Sequence, residues 1–571
     1  MSDLNYDVVV VGSGAGGMLS AIRAHDLGLK SIVIEKTDRY GGTSAVSGGG
    51  IWIPRNPWLD EKEKDADTEQ KALDYLRTCT EGKVSDDRLR AYIKYSTQLI
   101  DYLDELGIHY FIDPSNSYPD YYPDAPGAVP IGRSMYVDTV DGRPLGNDLY
   151  NMRDSLPEFM LFNRISLSLS EAGILLYRPP GWRLLAMKLI LKYWADIKGR
   201  RTSKRDRRLN IGNALVGGLR KAMIKRGIPL MLQTSMDGLI KEKDRITGID
   251  ATRLGKKFKI NADRAVILAS GGFEQNQELR EKYFPQKTKA SWSVTPRDCN
   301  TGDGLMAALE IGADTEFLDQ AWWAPTMTKS THETPHFSRS APVFFERGYP
   351  NSLCVNRLGN RFVNEAASYH QFGQAMMDDN KETGSNMPCW FIFDSEYRQK
   401  YPIAGILPYN LMPDSTLPPG WLDKFIFKAS SIKELADKIG IDATNLSKTL
   451  DRFNQNANKG IDEDYGKGDN VYNQFFGDPN VKPNRCLGPV SKAPFYAIKL
   501  DLGDIGSKGG PKTDQNANVL DQAGKPIPGL YAVGNVAGSV TAGSYPGAGA
   551  TLGPAMTFAY VAANHIAQRN Q

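Results

Sequence analysis

Hydrophobic positions at the start of the chain change their period twice. Val8–Val11 is a continuous apolar, β-branched run, which is typical of a buried strand. Apolar residues then recur at helical spacing through Ala21 to Leu27, and Gly28 stands where such a helix would end. A second apolar run, Ser31–Ile34, follows. The pattern predicts a strand, a glycine turn, a helix and a second strand, as in an α/β fold.

Three glycines lie at the first strand-to-helix turn. Gly12, Gly14 and Gly17 form a G-x-G-x-x-G motif, and Glu35 follows the second strand, 23 residues after Gly12. Glycines let the backbone approach a pyrophosphate, while the helix N-terminus offers amide donors and a positive dipole end. An acid at the end of the second strand suits a ribose hydroxyl. The combination predicts dinucleotide binding, whereas a glycine triplet alone is often an ordinary turn.

Two further glycine-rich segments favour FAD over NAD. Gly41–Ser44 and Ser47–Gly50 add a second glycine and hydroxyl surface close to the first. Near the other end of the chain, the apolar run Leu530–Val533 leads into Gly534-Asn535 and a glycine-rich approach to a helix. An NAD site needs no such continuation, whereas a buried flavin must be supported along its ribityl chain and ring. We predict noncovalently bound FAD, with an ordinary glycine-rich loop as the alternative for the last segment.

Residues 208–275 continue the same pattern of strands and helices. The predicted elements are a helix at Gly212–Arg226, a strand at Pro229–Gln233, a hairpin of Met236–Lys243 and Arg245–Arg253, and a strand at Ala265–Ala269. The last strand meets the glycine turn Ser270-Gly271-Gly272. Open α/β sheets bind ligands at such carboxyl ends of strands.

From about residue 288 to residue 492 the sequence becomes rich in aromatic residues, prolines and loops. We therefore predict an α/β protein with a Rossmann-type FAD-binding domain assembled from both chain ends, residues 1–287 and 493–571. An inserted α+β catalytic domain, residues 288–492, would cap the flavin and shape the substrate pocket.

Composition and charge narrow the class of protein. The 571 residues are 41% hydrophobic and 24% charged, as in an ordinary globular protein. A net charge of +3 gives no argument for a nucleic-acid partner. The five cysteines are scattered without a C-x-x-C pair, which favours a reducing compartment. His332 and His336 have the strongest metal-ligand spacing but lie in a polar loop sequence, so we predict no metal.

The N-terminal sequence and the apolar runs bear on location. Met1–Tyr6 is polar, and no uninterrupted apolar stretch reaches the roughly 18 residues of a membrane span. We predict a cytoplasmic protein, either soluble or peripheral on the inner face of the cell membrane.

Motifs spread over nearly the whole chain resemble those of the 3-ketosteroid Δ1-dehydrogenases, within the fumarate-reductase-like flavoproteins. The glycine motifs VVVGSGAGG and ASGGFE are common to the wider superfamily and indicate only FAD. The tyrosine-bearing segments PDYYP, NEAASY and YPGAG point to steroids. The resemblance implies conversion of a 3-oxo-4-ene steroid to the 1,4-diene in steroid or sterol degradation, on substrates of the cholest-4-en-3-one type. The electron acceptor would be a quinone or an electron carrier, and the oligomeric state is not predicted.

Such a dehydrogenation requires a polarised ketone, a base for the proton on carbon 2, and flavin nitrogen 5 to accept a hydride from carbon 1. Tyr545 and Gly549 can offer a phenol O–H and a backbone N–H to one ketone oxygen. Family position assigns the base to Tyr369, with Tyr121 beside it to relay or stabilise charge. Tyr122 is the neighbour most easily confused with Tyr121.

The expected FAD contacts lie on the glycine turns and the strand ends. They are Gly12, Ser13, Gly14, Gly16, Gly17, Glu35, Lys36, Gly41, Gly42, Thr43, Ser44, Ser47, Gly48, Gly49, Met236, Ala269, Ser270, Gly271, Asp303, Gly534, Asn535, Gly549, Ala550, Thr551 and Leu552.

Three other functions stay open at this point. A 3-ketosteroid Δ4-(5α)-dehydrogenase is the sister activity on the same scaffold. Fumarate reduction is disfavoured because Tyr369 stands where those enzymes carry an arginine, and because Trp322 and Trp323 suit a flat apolar ring system. A non-catalytic flavin-fold binding protein is disfavoured by the presence of Tyr545, Gly549 and Tyr369.

Residues 156–208, the insert, are basic and apolar, and the resemblance implies that compact members of the family are shorter in this segment. Between Arg183 and Arg208 ten Lys and Arg residues stand against two acids, a local charge of +8. Apolar residues repeat at helical spacing at Leu184, Met187, Leu191 and Trp194. This composition is typical of a helix in the membrane interface, and we predict peripheral membrane association through residues 160–208. A helix buried at a subunit contact is the alternative. Because the cofactor motifs lie elsewhere, deletion of residues 160–205 is predicted to leave flavin binding intact.

Overall fold

The computed structural model describes residues 3–59, 66–112, 118–328 and 338–569. The chain divides into two compact units. The first comprises Met1–Pro285, Thr295–Ala321 and Gly506–Gln571, and the second comprises Gln286–Val294 and Trp322–Ile505. The first unit is therefore assembled from both ends of the chain. The segment Thr295–Ala321, which the sequence analysis assigned to the inserted domain, belongs to the first unit.

A largely parallel sheet forms the centre of the first unit. Its strands lie in the order Leu230–Met231, Ser31–Ile34, Leu4–Val11, Lys256–Leu268, Arg245–Arg253 and Thr234–Glu242, with Pro526–Ala532 pairing to both Lys256–Leu268 and Asn518–Leu520. Val10 is fully buried and lies opposite Val33 on one side and Ile267 on the other, in parallel register. Such burial fits a strand that is covered on both faces. The predicted α/β fold is confirmed.

Two helices from opposite ends of the chain pack together in the first unit. Helix Ala15–Asp26 follows the first strand, and helix Leu552–Gln568 comes from the C-terminal segment. Arg23 joins them, since its Nε donates to Asn564 Oδ1 at 2.9 Å and its guanidinium lies 4.6 Å from the centroid of the Tyr560 ring. Both chain ends are therefore needed to complete this layer.

Most elements predicted from periodicity are present with small shifts at their ends. The helix predicted at Gly212–Arg226 spans Ile211–Lys225, and the second strand spans Ser31–Ile34 as predicted. The strand predicted at Pro229–Gln233 is shorter because Gln233 has a φ of 53° and turns the chain into Thr234–Glu242.

The remaining elements of the first unit are short strands and helices around this sheet. The helices are Gly42–Val46, Glu69–Thr80, Asp86–Glu105, Asp148–Asn151, Gln277–Tyr283 and Asp303–Glu310, with 3₁₀ turns at Arg143–Leu145 and Gly534–Val536. The strands are Ile51–Trp52, Tyr110–Phe111, Ser134–Val137, Val140–Asp141, Arg208–Leu209, Thr315–Glu316 and Gly510–Pro511.

The second unit is built on a mixed set of strands and helices of its own. Its sheet runs in the order Ser340–Pro342, Ala321–Thr328, Phe495–Ser507, Cys389–Phe393 and Ser352–Val355, with Ile426–Ala429 pairing to Phe495–Ser507. Its helices are Tyr369–Thr383, Ser395–Lys400, Ile432–Ile439, Ala443–Lys459 and Val471–Phe476, with 3₁₀ turns at Ala290–Trp292, Glu346–Gly348 and Asp414–Thr416. Leu353, Ile392 and Phe453 are fully buried in its core.

The insert is part of the first unit and has a small core of its own. It consists of a 3₁₀ turn at Pro157–Phe159, a hairpin of Met160–Leu161 and Ile165–Ser166, and helices Leu169–Tyr177, Trp182–Ala195 and Ile197–Thr202. Ile165, Leu189 and Tyr193 are buried together. The helix predicted here is confirmed.

The apolar stripe on helix Trp182–Ala195 faces away from that core. Leu184, Met187, Leu191 and Trp194 are 65%, 51%, 60% and 58% exposed. Lys188 and Lys192 are exposed on the same helix. Exposed apolar groups of this kind mark protein or membrane interaction sites.

No helix in the described part of the chain is long and apolar enough to cross a membrane. Within the same residues, no group of three or more His, Cys, Asp or Glu is arranged to hold a metal ion. His332 and His336 lie outside the described residues.

Candidate active site

The first glycine turn brings two strands unusually close together. Gly12 has a φ of 108°, and a Cβ atom there would lie 2.4 Å from the carbonyl oxygen of Ala269. Only glycine fits this position. The turn therefore lies directly beside the carboxyl end of strand Lys256–Leu268, where Ala269, Ser270 and Gly271 continue the chain. The Oγ of Ser270 is buried and has no hydrogen-bond partner within the described residues, so it can bond a ligand at this edge.

Glu35 joins the glycine turn to the end of the second strand. Its Oε2 accepts hydrogen bonds from the backbone N–H and the hydroxyl of Ser13, at 3.2 and 2.6 Å. Its Oε1 accepts from the backbone N–H of Thr37 at 3.0 Å. The expected ribose-binding carboxylate is therefore buried at the carboxyl edge of the sheet, with its orientation fixed by these hydrogen bonds.

The second glycine and hydroxyl segment folds against the first. Ser13 Oγ accepts a hydrogen bond from the backbone N–H of Gly41 at 3.0 Å, and Ser44 Oγ accepts from Ala15 at 3.0 Å. Thr43 Oγ1 accepts from Asn300 at 2.7 Å. Gly42, Ser47, Gly48 and Gly49 continue the same surface, at helix Gly42–Val46 and just after it.

Lys36 and Asp303 form an ion pair near the same edge, with Nζ and Oδ2 2.8 Å apart. Asp303 begins helix Asp303–Glu310. Met236 is half-buried on strand Thr234–Glu242 and packs against the core of the sheet.

The C-terminal glycine segment crosses the first unit close to Ile51. Gly549 has a φ of 97°, and a Cβ atom there would lie 2.4–2.5 Å from the backbone of Ile51. Ala550 and Thr551 lead into helix Leu552–Gln568, while Gly534 and Asn535 form a turn after strand Pro526–Ala532. The expected FAD residues thus form glycine-rich and hydroxyl-bearing surfaces on one unit, which suits a long, phosphate-bearing cofactor.

Two of the expected catalytic tyrosines touch each other in the first unit. The rings of Tyr121 and Tyr545 are 5.2 Å apart at an angle of 61°, and both side chains are buried. The carbonyl oxygen of Pro546 accepts hydrogen bonds from the backbone N–H of Tyr121 at 2.9 Å and from the Tyr75 hydroxyl at 2.6 Å. Tyr122 supports the loop differently, because its hydroxyl accepts from the backbone N–H of Tyr545 at 3.2 Å.

A buried charge network includes Asp120, the residue directly before Tyr121. Asp120 accepts hydrogen bonds from Trp52 at 2.8 Å and from Arg133 at 2.7 Å, and Arg133 also binds Asp67. Burial raises the pKa of Asp120 to about 6 against the opposing effect of Arg133. Asp120 is part of the motif PDYYP, but the motif alone predicts no role for it.

Lys508 is a second residue whose role the sequence analysis missed. It is fully buried, and its Nζ donates a hydrogen bond to the carbonyl of Ser544, directly before Tyr545. Burial lowers the pKa of the Lys508 ammonium well below its usual value. The lysine stands in the sequence Ser507-Lys508-Gly509, which does not reveal that its amine is buried.

Tyr369 belongs to the second unit and begins helix Tyr369–Thr383. Ser368 caps that helix by accepting from the N–H of Gln371. The Tyr369 ring is buried against Phe344 at 4.6 Å and Phe345 at 6.4 Å between ring centroids. Trp322 and Trp323, expected in the substrate pocket, are buried in the same unit.

Charged side chains fix the segment that leads to Tyr369. Glu365 is fully buried and accepts two hydrogen bonds from Arg361, each 2.9 Å long. Arg347 donates to the carbonyl of Glu365 at 2.7 Å and to that of Ala367 at 3.3 Å. These contacts set the start of the helix and hence the position of the Tyr369 backbone.

Comparison with known proteins places the chain in a family. Residues 7–552 match the family described as FAD binding domain. The chain is 38% identical to the 3-oxosteroid 1-dehydrogenase of Mycobacterium tuberculosis, over 100% of this chain and 99% of that protein. It is 37% identical to the 3-oxosteroid 1-dehydrogenase of Comamonas testosteroni, over 98% of this chain and 96% of that protein.

A solved structure agrees with these relatives. The 3-ketosteroid delta1-dehydrogenase from Sterolibacterium denitrificans, in complex with 1,4-androstadiene-3,17-dione, is 44% identical and matches with a TM-score of 0.93, covering 99% of both chains. Identity at this level over the full length extends to the activity class as well as the fold. The chain therefore belongs to the 3-ketosteroid Δ1-dehydrogenase family of FAD-dependent oxidoreductases.

Proposed function

We propose that this chain catalyses the FAD-dependent 1,2-dehydrogenation of 3-ketosteroids, from the 3-oxo-4-ene to the 1,4-diene, in steroid or sterol degradation. The observation that carries the proposal is the buried Tyr121–Tyr545 pair, held on Pro546 in the same loop as Gly549. The named activities of the full-length relatives support the same reaction.

Tyr545 and Gly549 are proposed to hold the steroid ketone. A phenol O–H and a backbone N–H directed at one oxygen stabilise the negative charge that develops there when carbon 2 loses its proton. The positive φ of Gly549 and its close approach to Ile51 support this, since they fix the direction of its N–H. Lys508 and Tyr122 keep the loop in place through Ser544 and the Tyr545 backbone.

Tyr369 is proposed to accept the proton from carbon 2, and Tyr121 to relay or stabilise charge. A phenol has an unperturbed pKa of about 10 and is a weak base at neutral pH. The reaction therefore depends on the acidity that the held ketone gives to carbon 2. Bound FAD would supply the acceptor for the hydride from carbon 1. The glycine turns, Ser270 and Glu35 are proposed to hold it without a covalent bond.

An assay with two substrate classes tests the proposal. The FAD-loaded enzyme is given 4-ene-3-keto steroids with a dye acceptor, and in a parallel reaction fumarate with a reduced dye. Formation of the 1,4-diene with no fumarate reduction supports the proposal. A third reaction supplies a 5α-saturated 3-ketosteroid with the dye acceptor, and formation of the 4-ene product alone would indicate the Δ4-(5α) activity instead. Anaerobic bleaching of the flavin by a steroid separates an enzyme from a binding protein.

We also propose that the insert, residues 160–208, holds the enzyme on the inner face of the cell membrane. The exposed side chains Leu184, Leu191 and Trp194, flanked by a local charge of +8, support a helix lying in the lipid interface. Sterones partition into lipid, and so do quinones, so an enzyme at that surface would meet both its substrate and one class of acceptor. A soluble electron carrier is the alternative acceptor.

Vesicle flotation tests the location. Intact protein should float with anionic vesicles at low salt and less so at high salt, because salt screens the basic residues. Failure to float at low salt would assign the exposed stripe to a subunit contact, which sedimentation would then detect.

A further inference from the structure

A cavity lies at the base of the insert, where the hairpin meets the strand that leaves it. Its volume is about 90 Å³, and its lining includes Arg164, Lys204, Arg205 and Arg208, with Asp154 and Asp206. Because Glu171 pairs with Arg208, the three other cations stand against the two acids and leave an excess of one positive charge. An excess of this kind around a small cavity favours an anion.

Both acidic side chains of the cavity already accept hydrogen bonds from groups of the protein. Asp206 accepts hydrogen bonds from the backbone N–H groups of Ser166 at 3.1 Å and Arg208 at 2.9 Å. Asp154 lies 3.5 Å from Arg205 Nε and accepts from the N–H of Ser155 at 3.0 Å.

The cations fall into two groups. Arg208 binds Glu171 through two hydrogen bonds of 2.8 Å, so its charge is paired. Arg164 and Lys204 are exposed, and within the described residues neither side chain has an ion pair or a hydrogen bond. Arg205 is already engaged by the protein, because its Nε lies 3.5 Å from Asp154 and its other nitrogens donate to the carbonyl of Leu149 and to Asn213. The two free cations, Arg164 and Lys204, are therefore the groups in the lining that can donate hydrogen bonds to a bound anion.

The surroundings of the cavity identify the source of the anion. Arg164 follows the hairpin tip, where Phe162 is 63% exposed. The strand Ile165–Ser166 packs against helix Trp182–Ala195, which carries the outward apolar stripe. A charged headgroup joined to acyl chains matches a cationic cavity joined to an exposed apolar surface.

We propose that this cavity binds the phosphate of an anionic glycerophospholipid headgroup, with Arg164 and Lys204 donating hydrogen bonds to the phosphate oxygens. The assignment rests on the proposed membrane association and adds a specific lipid contact to it. Phosphatidylglycerol is the probe that represents this chemistry.

Flotation of the full-length, FAD-loaded protein tests the site against simple charge attraction. One set of vesicles contains phosphatidylcholine and phosphatidylglycerol. The other contains phosphatidylcholine and oleate at the same surface potential, so that the added charge carries no phosphate. The expected result is about tenfold tighter binding to phosphatidylglycerol, which corresponds to ~1.4 kcal/mol.

Two double variants separate the site from the general charge of the insert. Arg164→Gln with Lys204→Gln should abolish the tenfold preference. Lys188→Gln with Lys192→Gln removes the same charge from the exposed helix, and should weaken binding to both vesicles while keeping the preference.

Three outcomes would overturn the proposal, and they differ from one another. Equal binding of the wild type to both vesicles would leave only general electrostatics. In a second outcome, calorimetry detects binding of inorganic phosphate that the double variant Arg164→Gln, Lys204→Gln loses. If the wild type then shows no vesicle preference, the cavity is assigned to a free anion. Absence of binding to either vesicle would refute membrane association itself, while the steroid assay would stay unaffected.

Discussion

Tyr369 begins a helix whose first turn is fixed by Ser368 and whose ring is buried against Phe344. If Tyr369 is the base, Tyr369→Phe should keep steroid binding and lose about 10²–10⁴-fold in turnover, the range for a positioned general base. Steady-state kcat and anaerobic steroid titration of the flavin spectrum measure the two effects. Tyr409→Phe, at a tyrosine that is 40% exposed, is the control. A rate near the wild type in Tyr369→Phe would move the base, most directly to Tyr121.

Tyr545 should behave differently because its hydroxyl is proposed to contact the ketone in both the ground state and the transition state. Tyr545→Phe should weaken steroid binding by the ~0.5–1.5 kcal/mol of a net hydrogen bond, and kcat by about 10²–10³-fold. Tyr409→Phe, at a tyrosine that is 40% exposed, is again the control. Unchanged steroid affinity in Tyr545→Phe would place the ketone elsewhere.

Lys508 gives the molecule a pH-dependent stability. The unfolded chain holds this proton up to a pKa of about 10.4, whereas burial lowers the pKa in the native protein. Between those two values only the unfolded state binds the proton, so stability rises with pH. The wild-type Tm should therefore rise relative to that of Lys508→Met as the pH increases toward about 10.4. Lys525→Met, at an exposed lysine, should follow the wild type, and parallel Tm profiles for all three would contradict the burial argument.

The motifs in the sequence were sufficient to predict Tyr121, Tyr545 and Gly549 as site residues. They did not predict the residues that hold this loop in place. Motif spacing reports which residues lie in one loop. It does not report that Lys508 donates to Ser544, because that contact joins segments 36 residues apart. The roles of the tyrosines stay predictions until the variants are measured.

At the scale of elements, helix Trp182–Ala195 offers two leucines in opposite environments. Leu189 is 3% exposed in the core of the insert, and Leu191 is 60% exposed. Leu189→Ala should destabilise the insert by about 2–5 kcal/mol, whereas Leu191→Ala should stay within about 0.5 kcal/mol and instead reduce vesicle binding. Hydrogen exchange of the helix measures the first effect and flotation the second. Loss of exchange protection in Leu191→Ala would mean that the stripe is part of a packed interface.

Periodicity predicted this helix and the central strands because both have long, regular apolar patterns. It overextended Pro229–Gln233 because one residue with a positive φ, Gln233, ends the strand, and a glutamine in the sequence gives no sign of that. The pattern also located the apolar stripe of the insert, but it did not predict which face of the helix is buried. Only the packing of Leu189 and Tyr193 settles this.

For the whole molecule, the two chain ends form one unit because the parallel sheet takes a strand from each. Strand Lys256–Leu268 pairs with Leu4–Val11 on one side and with Pro526–Ala532 on the other. The paired glycine motifs at both ends made this predictable. That Thr295–Ala321 belongs to the first unit could not be predicted, because its composition resembles that of the neighbouring segments of the second unit.

Arg205 connects the insert to the expected cofactor residues. A deletion of the insert that includes Arg205 would therefore also affect those residues. Arg205 donates to the carbonyl of Leu149 at 2.9 Å and to Asn213 at 2.6 Å. Asn213 in turn donates to the carbonyl of Ala45 at 2.7 Å, within the segment expected to hold FAD. Deletion of residues 160–205 would break this chain of contacts, contrary to the expectation from sequence that the insert is independent of the flavin.

A deletion that spares Arg205 should separate the two roles. Met160 and Lys204 line the same cavity, so a short Gly-Ser linker can replace residues 161–203. This variant should keep its flavin, fail to float with anionic vesicles, and lose activity chiefly on sterones with long side chains, because these depend on the membrane surface. Replacement of residues 161–205 is the matched comparison and should lower the ratio of flavin to protein. Equal flavin content in both variants would show that Arg205 does not support the cofactor segment, and full flotation of either would place the membrane contact outside the insert.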